Sequence, residues 1–350
     1  MNRKIFAVLK YLLLLVVAAA LLYFAFRGIS IKQVLNEVMK ANLFWVALSI
    51  LASFIAVFSR SIRWKLLMEP LGYSPPLMTT TYSLMVGYFA NLAFPRLGEV
   101  TRCAALNRSE KIPFNVLLGT VIVERAVDVL TLLFLLILTA ILEFDRLGNF
   151  LRENITRPIV NKLKFITSPI FLVAIISLII VGIIAWRYYR KKKNDAAKES
   201  KLVHLFKGLV DGLKTIARLK RPWLFVFHSV FIWFLYLLSV WVCFFAFPFT
   251  SGLNFSAALF LLVAGGLGMS APVQGGIGAY HLLVSQGLIL YGLTKQDGLT
   301  FATLLHTINL ILIIVFGSVS LLLLFRDRKK SDQRNQTETL KEKEEASTTL

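Results

Sequence analysis

Three short stretches of this 350-residue chain place charged or conformationally special residues inside strongly apolar sequence. They are NLAFPRLGEVTR (residues 91–102), VERAVDVL (residues 123–130) and APVQGGIGAYH (residues 271–281). Arginine forms planar double hydrogen bonds with phosphate, and carboxylates can orient arginines or carry protons. Glycines allow a backbone to approach a ligand closely. Together the three stretches predict a site for an anionic group.

The first stretch contributes Arg96, Glu99 and Arg102 as candidate binding residues. Pro95 is expected to stop the helix that precedes it, because proline lacks the backbone N–H and clashes with the previous turn. Gly98 is expected to permit the reversal, with a return helix beginning near Glu99. This predicts a broken hairpin with Arg96 and Arg102 as phosphate ligands. The alternative is a cluster of positive charge at a membrane boundary.

The second stretch places Glu124, Arg125 and Asp128 on one broad helix face, because they are three and four residues apart. A charge at the centre of a membrane helix costs roughly 2.5–3.5 kcal/mol on insertion scales. These residues should therefore face the interior, with Arg125 neutralising Glu124 or Asp128. A polar pathway and a structural salt-bridge cluster both remain open as interpretations, and they can coexist.

The third stretch is rich in glycine and follows a proline. The candidate binding residues here are Pro272, Gly275, Gly276, Gly278 and His281. Their alternative role is a packing seam of small residues. His306 and Asn309, one turn apart in the last apolar run, are candidates to face this segment, and the preferred interpretation of His306 is an interior histidine with satisfied hydrogen bonds.

The surroundings of these stretches indicate an all-α protein that crosses a membrane several times. Hydrophobic residues make up 57% of the chain, above the 45–50% of ordinary soluble domains. The sequence contains six to nine hydrophobic segments. Six are clear, at residues 5–26, 43–58, 116–142, 168–186, 223–247 and 300–325, and three are ambiguous, at residues 77–94, 256–271 and 277–293.

Lysine and arginine in the loops constrain the topology. Nine spans with a cytoplasmic N-terminus would put the basic loop at residues 187–222 outside, against the positive-inside rule. Nine spans with an external N-terminus satisfy the rule but export Arg3 and Lys4. If residues 77–111 and 256–293 instead enter the membrane and return, both termini are cytoplasmic. This model yields two inverted halves, about residues 1–142 and 165–325, each with a re-entrant or broken helix pair.

The net charge of +20 is assigned to this loop pattern rather than to nucleic-acid binding. Two cysteines and four scattered histidines give no metal-ligand spacing, and no cofactor is predicted. An integral membrane domain is predicted over residues 1–325, and a disordered polar tail over residues 326–350.

The three stretches, in their order and spacing, resemble the transmembrane, flippase-like region of the lysylphosphatidylglycerol synthase family. The pieces that carry the resemblance are FPRLGEVTR, VERAVDVL and APVQGGIGAYH, and the similarity extends over roughly residues 5–325. His281 departs from the family pattern, which often has a glutamate at that position. About 25 residues follow the last span, too few for the family's synthase domain. The resemblance therefore implies the lipid-translocating part without aminoacylation, and no enzyme activity.

The resulting prediction is a lipid flippase-like transporter of the plasma membrane. It would move an anionic or zwitterionic phospholipid, or a lipid-linked headgroup, between leaflets. The alternatives are a membrane-embedded enzyme acting on lipid phosphates and a membrane scaffold without transport. No Ser/His/Asp set or phosphate motif of known spacing supports the enzyme.

Overall fold

The computed structural model of the protein describes residues 3–151 and 219–348. Every regular element in these two ranges is helical, which confirms the all-α prediction. The helices are α1 (Arg3–Phe26), α2 (Ile31–Met39), α3 (Leu43–Met68), α4 (Leu77–Ala93), α5 (Gly98–Glu110), α6 (Phe114–Leu142), α7 (Phe144–Leu151), α8 (Pro222–Cys243), α9 (Phe255–Ser270), α10 (Ala279–Ile289) and α11 (Lys295–Thr348). The predicted span at residues 168–186 and nearly all of the basic loop lie outside the described residues.

Three segments are long and apolar enough to cross a membrane, Leu43–Leu71, Pro222–Ala246 and Lys295–Arg326. A fourth results if the bent pair Leu14–Phe26 and Ile31–Met39 is one span, with an angle of 80° between its two parts. Helix α6 is continuous over 29 residues but lies outside this count. The protein is therefore a multi-pass membrane protein, as its composition predicts.

The chain divides into two compact units, residues 1–139 with 211–350, and residues 140–210. In the first unit the long helices α3 and α8 pack along each other. Serines join them in the interior, because the hydroxyl of Ser239 lies 2.8 Å from that of Ser49 and 3.0 Å from that of Ser53. Small hydroxyl residues suit such a contact, since they let two membrane helices approach closely.

Helices α4 and α5 form the first hairpin, over the residues predicted to enter and return. Helix α4 ends at Ala93, and Phe94 is extended, as expected for the residue before Pro95. The reversal differs from the prediction, because Arg96 and not Gly98 has the left-handed backbone, with φ of 65°. Gly98 serves another purpose. A Cβ there would collide with the carbonyl of Gly87, so this glycine permits the close crossing of α4 and α5.

Helices α9 and α10 form the second hairpin, with a short 3-10 turn at Gln274–Gly276 between them. Its crossing is also made by glycine, since a Cβ on Gly268 would lie 2.7 Å from the Cα of Tyr280. The two hairpin tips meet, because a Cβ on Gly275 would lie 3.2 Å from Cδ2 of Leu92. Helix α10 also packs against α1 and α11.

Helix α11 runs to Thr348, through the stretch for which the sequence predicts a disordered tail. The residues there are rich in lysine, glutamate, glutamine and arginine. These are good helix formers even where no apolar face is buried. High polarity alone therefore does not distinguish a disordered tail from a solvated helix.

Candidate functional site: a buried cluster of arginines and carboxylates

Helices α3, α5 and α6 of the first unit bring seven charged side chains together around a buried centre. We call them the arginine cluster: Arg60 and Arg63 of α3, Glu99 and Arg102 of α5, and Glu124, Arg125 and Asp128 of α6. The sequence predicts five of these as site residues, from two separate stretches, and the structure places those stretches in contact.

Glu124 is the centre of the arginine cluster and is completely buried, with 0% of its surface exposed. Its Oε1 accepts hydrogen bonds from Nε of Arg60 at 2.9 Å and from Nη2 of Arg63 at 3.3 Å. Its Oε2 accepts one from Nη1 of Arg102 at 3.0 Å. A buried carboxylate is tolerated in a membrane protein when it is paired in this way.

Asp128 lies one helical turn beyond Glu124 and faces the same side. Its Oδ2 accepts from Nη2 of Arg60 at 2.5 Å, and its Oδ1 accepts from Nη2 of Arg63 at 2.7 Å. Both arginines of α3 therefore bridge the two carboxylates of α6, which ties these two helices together.

Of the two carboxylates predicted as possible partners of Arg125, the structure pairs it with Asp128 and not with Glu124. The Arg125 side chain is 42% exposed and lies 3.4 Å from Glu99 and 3.8 Å from Asp128. The partners of Glu124 come from α3 and α5 instead. The sequence spacing shows which residues share a helix face, but it cannot show which neighbouring helix covers that face.

Arg102 is 2% exposed and its guanidinium lies over the indole of Trp64, 4.7 Å from the ring centre. Trp64 is held in turn by a hydrogen bond from its Nε1 to the hydroxyl of Thr120 at 2.9 Å. This cation–π contact fixes the plane of the Arg102 guanidinium. The planar side chain is therefore oriented before any ligand arrives.

The arginine cluster has more donors than acceptors. Four arginines and three carboxylates leave one excess positive charge. Nε and Nη1 of Arg63, and Nε and Nη2 of Arg102, are buried without a hydrogen-bond partner in the described part of the chain. Buried polar groups normally find partners, and each one that does not costs free energy. The arrangement thus has spare capacity for an acceptor with negative charge.

Arg60 and Arg63 are the site residues that the sequence interpretation misses. The predicted apolar run ends at residue 58, but α3 continues to Met68. The available signal was their spacing of three residues, followed directly by Trp64, which continues the same helix face. Arginines at the end of an apolar run resemble a positive-inside boundary, so sequence alone does not separate the two roles.

Arg96 lies outside the arginine cluster, although the sequence predicts that Arg96 and Arg102 act together as phosphate ligands. It is exposed in the tip of the first hairpin and forms no ion pair in the ranges that the structure describes. Glu99 forms its ion pair with Arg125 and therefore does not orient Arg102. The amide of Gly98 donates to Oδ1 of Asn91 at 2.7 Å, so this amide is already occupied.

The tip of the second hairpin brings its predicted residues together, separately from the arginine cluster. Pro272 lies in the break after α9, and Gly275, Gly276 and Gly278 all have left-handed backbones. A Cβ on Gly276 would collide with Met269, and one on Gly278 with the carbonyl of Ala18 in α1. These two glycines therefore serve close packing.

His306 faces the same tip, as predicted, and its Nε2 donates to the carbonyl of Gly275 at 2.8 Å. His281 is buried beside His306. Asn309 instead donates to the carbonyl of Leu305 in its own helix, so its predicted role at the tip is not seen.

The fold and the arginine cluster define a multi-pass α-helical membrane protein with a charged interior. The chain belongs to the family described as the lysylphosphatidylglycerol synthase TM region, whose model matches residues 11–317. It is similar to a UPF0104 membrane protein of Methanocaldococcus jannaschii, with 22% identity over 344 residues, covering 92% of this chain and 97% of that protein. No solved structure matches the chain.

Proposed function

We propose that this protein moves a phospholipid, or another lipid-linked headgroup, between the two leaflets of the plasma membrane without chemical conversion. One observation carries the proposal: the buried arginine cluster has an excess positive charge and unpaired guanidinium donors. An anionic or zwitterionic phospholipid headgroup would supply the missing acceptors.

The first support is chemical. Arginine presents a planar fork of donors that matches two phosphate oxygens, and lysine does not reproduce this geometry. Arg63 and Arg102 each combine one carboxylate-bound nitrogen with others that are unpaired. A phosphate bound to these unpaired nitrogens would leave the bonds from the arginines to Glu124 and Asp128 in place.

The second support is the depth of the arginine cluster along its helix. Residues 114 to 124 of α6 rise by about 15 Å. That is about half of a hydrocarbon core roughly 30 Å thick. A charged group this deep in a membrane would be expensive, and such residues mark substrate or ion pathways, proton relays or ligand counter-ions.

The third support is the pair of broken hairpins. Each consists of two helices shorter than a full span, and their tips meet at Leu92 and Gly275. Broken helices in corresponding positions of two halves are typical of transporters, where irregular backbone lines a central path. The exposed Arg96 at the first tip would be the first arginine to contact a headgroup, and Arg102 the next.

The proposed topology has both termini in the cytoplasm, with the first hairpin entering and leaving on that side. Cysteines at Ser74 and Ser109, both exposed, would flank this hairpin. In a chain with Cys103 and Cys243 replaced by alanine, both sites should be labelled by an impermeant reagent from the cytoplasm. Labelling from opposite sides would make the hairpin a complete span and remove the inverted repeat.

The function itself is tested with purified protein in liposomes of neutral phospholipid. Fluorescent phosphatidylglycerol, phosphatidylcholine and a glycolipid without phosphate are placed in one leaflet, and their exchange is measured. We expect both phospholipids to exchange at least tenfold faster than in empty liposomes, and the glycolipid to remain. Equal exchange of all three would contradict phosphate recognition. A changed lipid mass would indicate an enzyme, and neither exchange nor conversion would indicate a scaffold.

A further inference from the structure

Two buried histidines face each other at the tip of the second hairpin. His281 of α10 is 6% exposed and His306 of α11 is 3% exposed. Their ring centres are 4.8 Å apart, and the ring planes are inclined at 67°. The proposed translocation function uses neither ring, so the pair requires a separate account.

The hydrogen bonds at this pair leave basic nitrogens free. The Gly275 carbonyl accepts from Nε2 of His306 at 2.8 Å, so this nitrogen carries a hydrogen. In a neutral imidazole the other nitrogen, Nδ1, then has a lone pair. Nδ1 of His281 is buried and has no hydrogen-bond partner within the described ranges. The pair therefore has positions that can accept a proton.

The groups next to the pair in helices α1, α8, α9 and α10 are neutral. Helix α1 contributes Phe26, whose ring centre is 6.1 Å from that of His281. Helix α10 contributes Tyr280, whose ring centre is 5.1 Å from that of His306. Helix α9 presents glycines to Tyr280, and the buried thiol of Cys243 in α8 belongs to the same apolar core. A proton arriving here would meet no fixed charge within these contacts.

We propose that His281 and His306 form a proton-binding site that takes one proton per chain, and that this proton fixes the tip of the second hairpin in place. Two charged rings at this separation would repel each other strongly, so one proton excludes the second. A charged ring among aromatic groups needs a polar partner. The side-chain oxygen of Gln274, in the same tip, is buried and unpaired in the described structure.

Uptake of a proton by His306 would affect the tip directly, because His306 is hydrogen-bonded to the turn. The Gly275 carbonyl that His306 holds belongs to a left-handed residue with φ of 54°, which is part of the turn itself. The same turn lies against Leu92 of the first hairpin. Protonation of His306 at Nδ1 would make Nε2 a stronger, charge-assisted donor to the Gly275 carbonyl, and so would hold the turn more firmly against the first hairpin.

The site is tested on the full chain in lipid nanodiscs by nitrogen-15 histidine NMR from about pH 3 to about pH 8, a range extended downward because burial disfavours a charged ring. We expect the pair to take up one proton, shared between His281 and His306. A glutamine at either position should shift the titration of the remaining histidine. His306→Gln keeps a donor for the Gly275 carbonyl, so the fold is preserved. His228→Gln is the control, because His228 bonds to Ser59 and lies outside the pair.

Movement of the tip is measured in the same samples by thiol labelling in a chain lacking Cys103 and Cys243. Ser270→Cys reports on the tip, and Ser251→Cys is the matched control, since both serines are exposed and bond to a carbonyl in the preceding turn. The Ser270 to Ser251 rate ratio should fall at least threefold as the pair takes up its proton, and should stay constant in the His306→Gln chain. Two independent titrations, no titration, or a constant ratio in the parent would each overturn the proposal. None of these results depends on lipid transport.

Discussion

The two hairpins have the same architecture and opposite chemistry. In the first, α5 carries Arg102 into an ion-paired interior, and the tip exposes Arg96. In the second, α10 carries neutral His281 into an aromatic core, and the tip is built from glycines. Both cross their partner helix through glycine contacts, at Gly98 and at Gly268.

This difference separates the residues that allow two helices to cross closely from the charged residues that form the arginine cluster. Glycine at the crossing recurs because two helices must approach closely in either hairpin, whatever else they carry. The charges occur in one hairpin only, where they meet α3 and α6. The arginine cluster therefore belongs to the first hairpin and its neighbours α3 and α6, and a hairpin of this kind can form without such charges. Substitutions can separate the two contributions.

The largest loss of stability is expected from substitution of Glu124, the carboxylate of α6 that pairs with Arg102 of the first hairpin. Glu124→Leu leaves Arg102 without its carboxylate, and stranding a buried charge costs about 3–5 kcal/mol. The double variant Glu124→Leu with Arg102→Leu should lose less than Glu124→Leu alone. Denaturant unfolding in detergent measures both. Glu37→Gln is the control, because Glu37 pairs with Lys40 on the surface. Additive losses in the double variant would contradict the buried pairing.

The second effect tests what the hairpins share. Gly98→Ala and Gly268→Ala each force a Cβ into backbone of the neighbouring helix, and overpacking typically costs about 1–3 kcal/mol. Gly119→Ala in α6 is the control, because no atom lies within 4 Å of its added Cβ. The control should be neutral or stabilising, since alanine favours helix. The melting temperature of each variant measures the effect. A parent-like melting temperature for one of the two hairpin variants would show that the two crossings are not equivalent.

The sequence predicts the hairpins well because their signals are local. Pro95 ends α4, and the glycine-rich stretch ends α9, through backbone effects that depend on adjacent residues only. The partners of Glu124 could not be predicted in the same way. They depend on how α3 and α5 are placed around α6, and that placement is determined by packing across the whole unit.

Arg60 and Arg63 also could not be predicted as site residues from the sequence. Both follow an apolar run, where arginine usually marks a membrane boundary, so their types and positions suggest nothing unusual. Only the continuation of α3 to Met68 brings them to the carboxylates of α6. His306 could be predicted to face Gly275, because the tip and the last span were each well defined.

The smallest effect is expected at the pair formed by Glu99 and Arg125, at the exposed edge of the arginine cluster. These side chains are 27% and 42% exposed, and such pairs contribute about 0–1 kcal/mol. A double-mutant cycle with Glu99→Gln and Arg125→Gln should therefore give a coupling free energy below about 1 kcal/mol. A larger coupling in the unfolding measurement would place this pair with the buried members of the arginine cluster.

The most direct test of the central claim is phospholipid exchange by variants of the two arginines with unpaired donors. Arg63→Lys and Arg102→Lys keep the positive charge but remove the planar fork that binds two oxygens. Arg108→Lys, at an exposed position on α5, is the matched control. Exchange in proteoliposomes, measured well below the melting temperature of each variant, should fall at least tenfold in both buried variants, while exchange by the control stays close to the parent. Parent-like exchange by both lysine variants would show that these arginines only hold the helices together, and that the headgroup passes elsewhere.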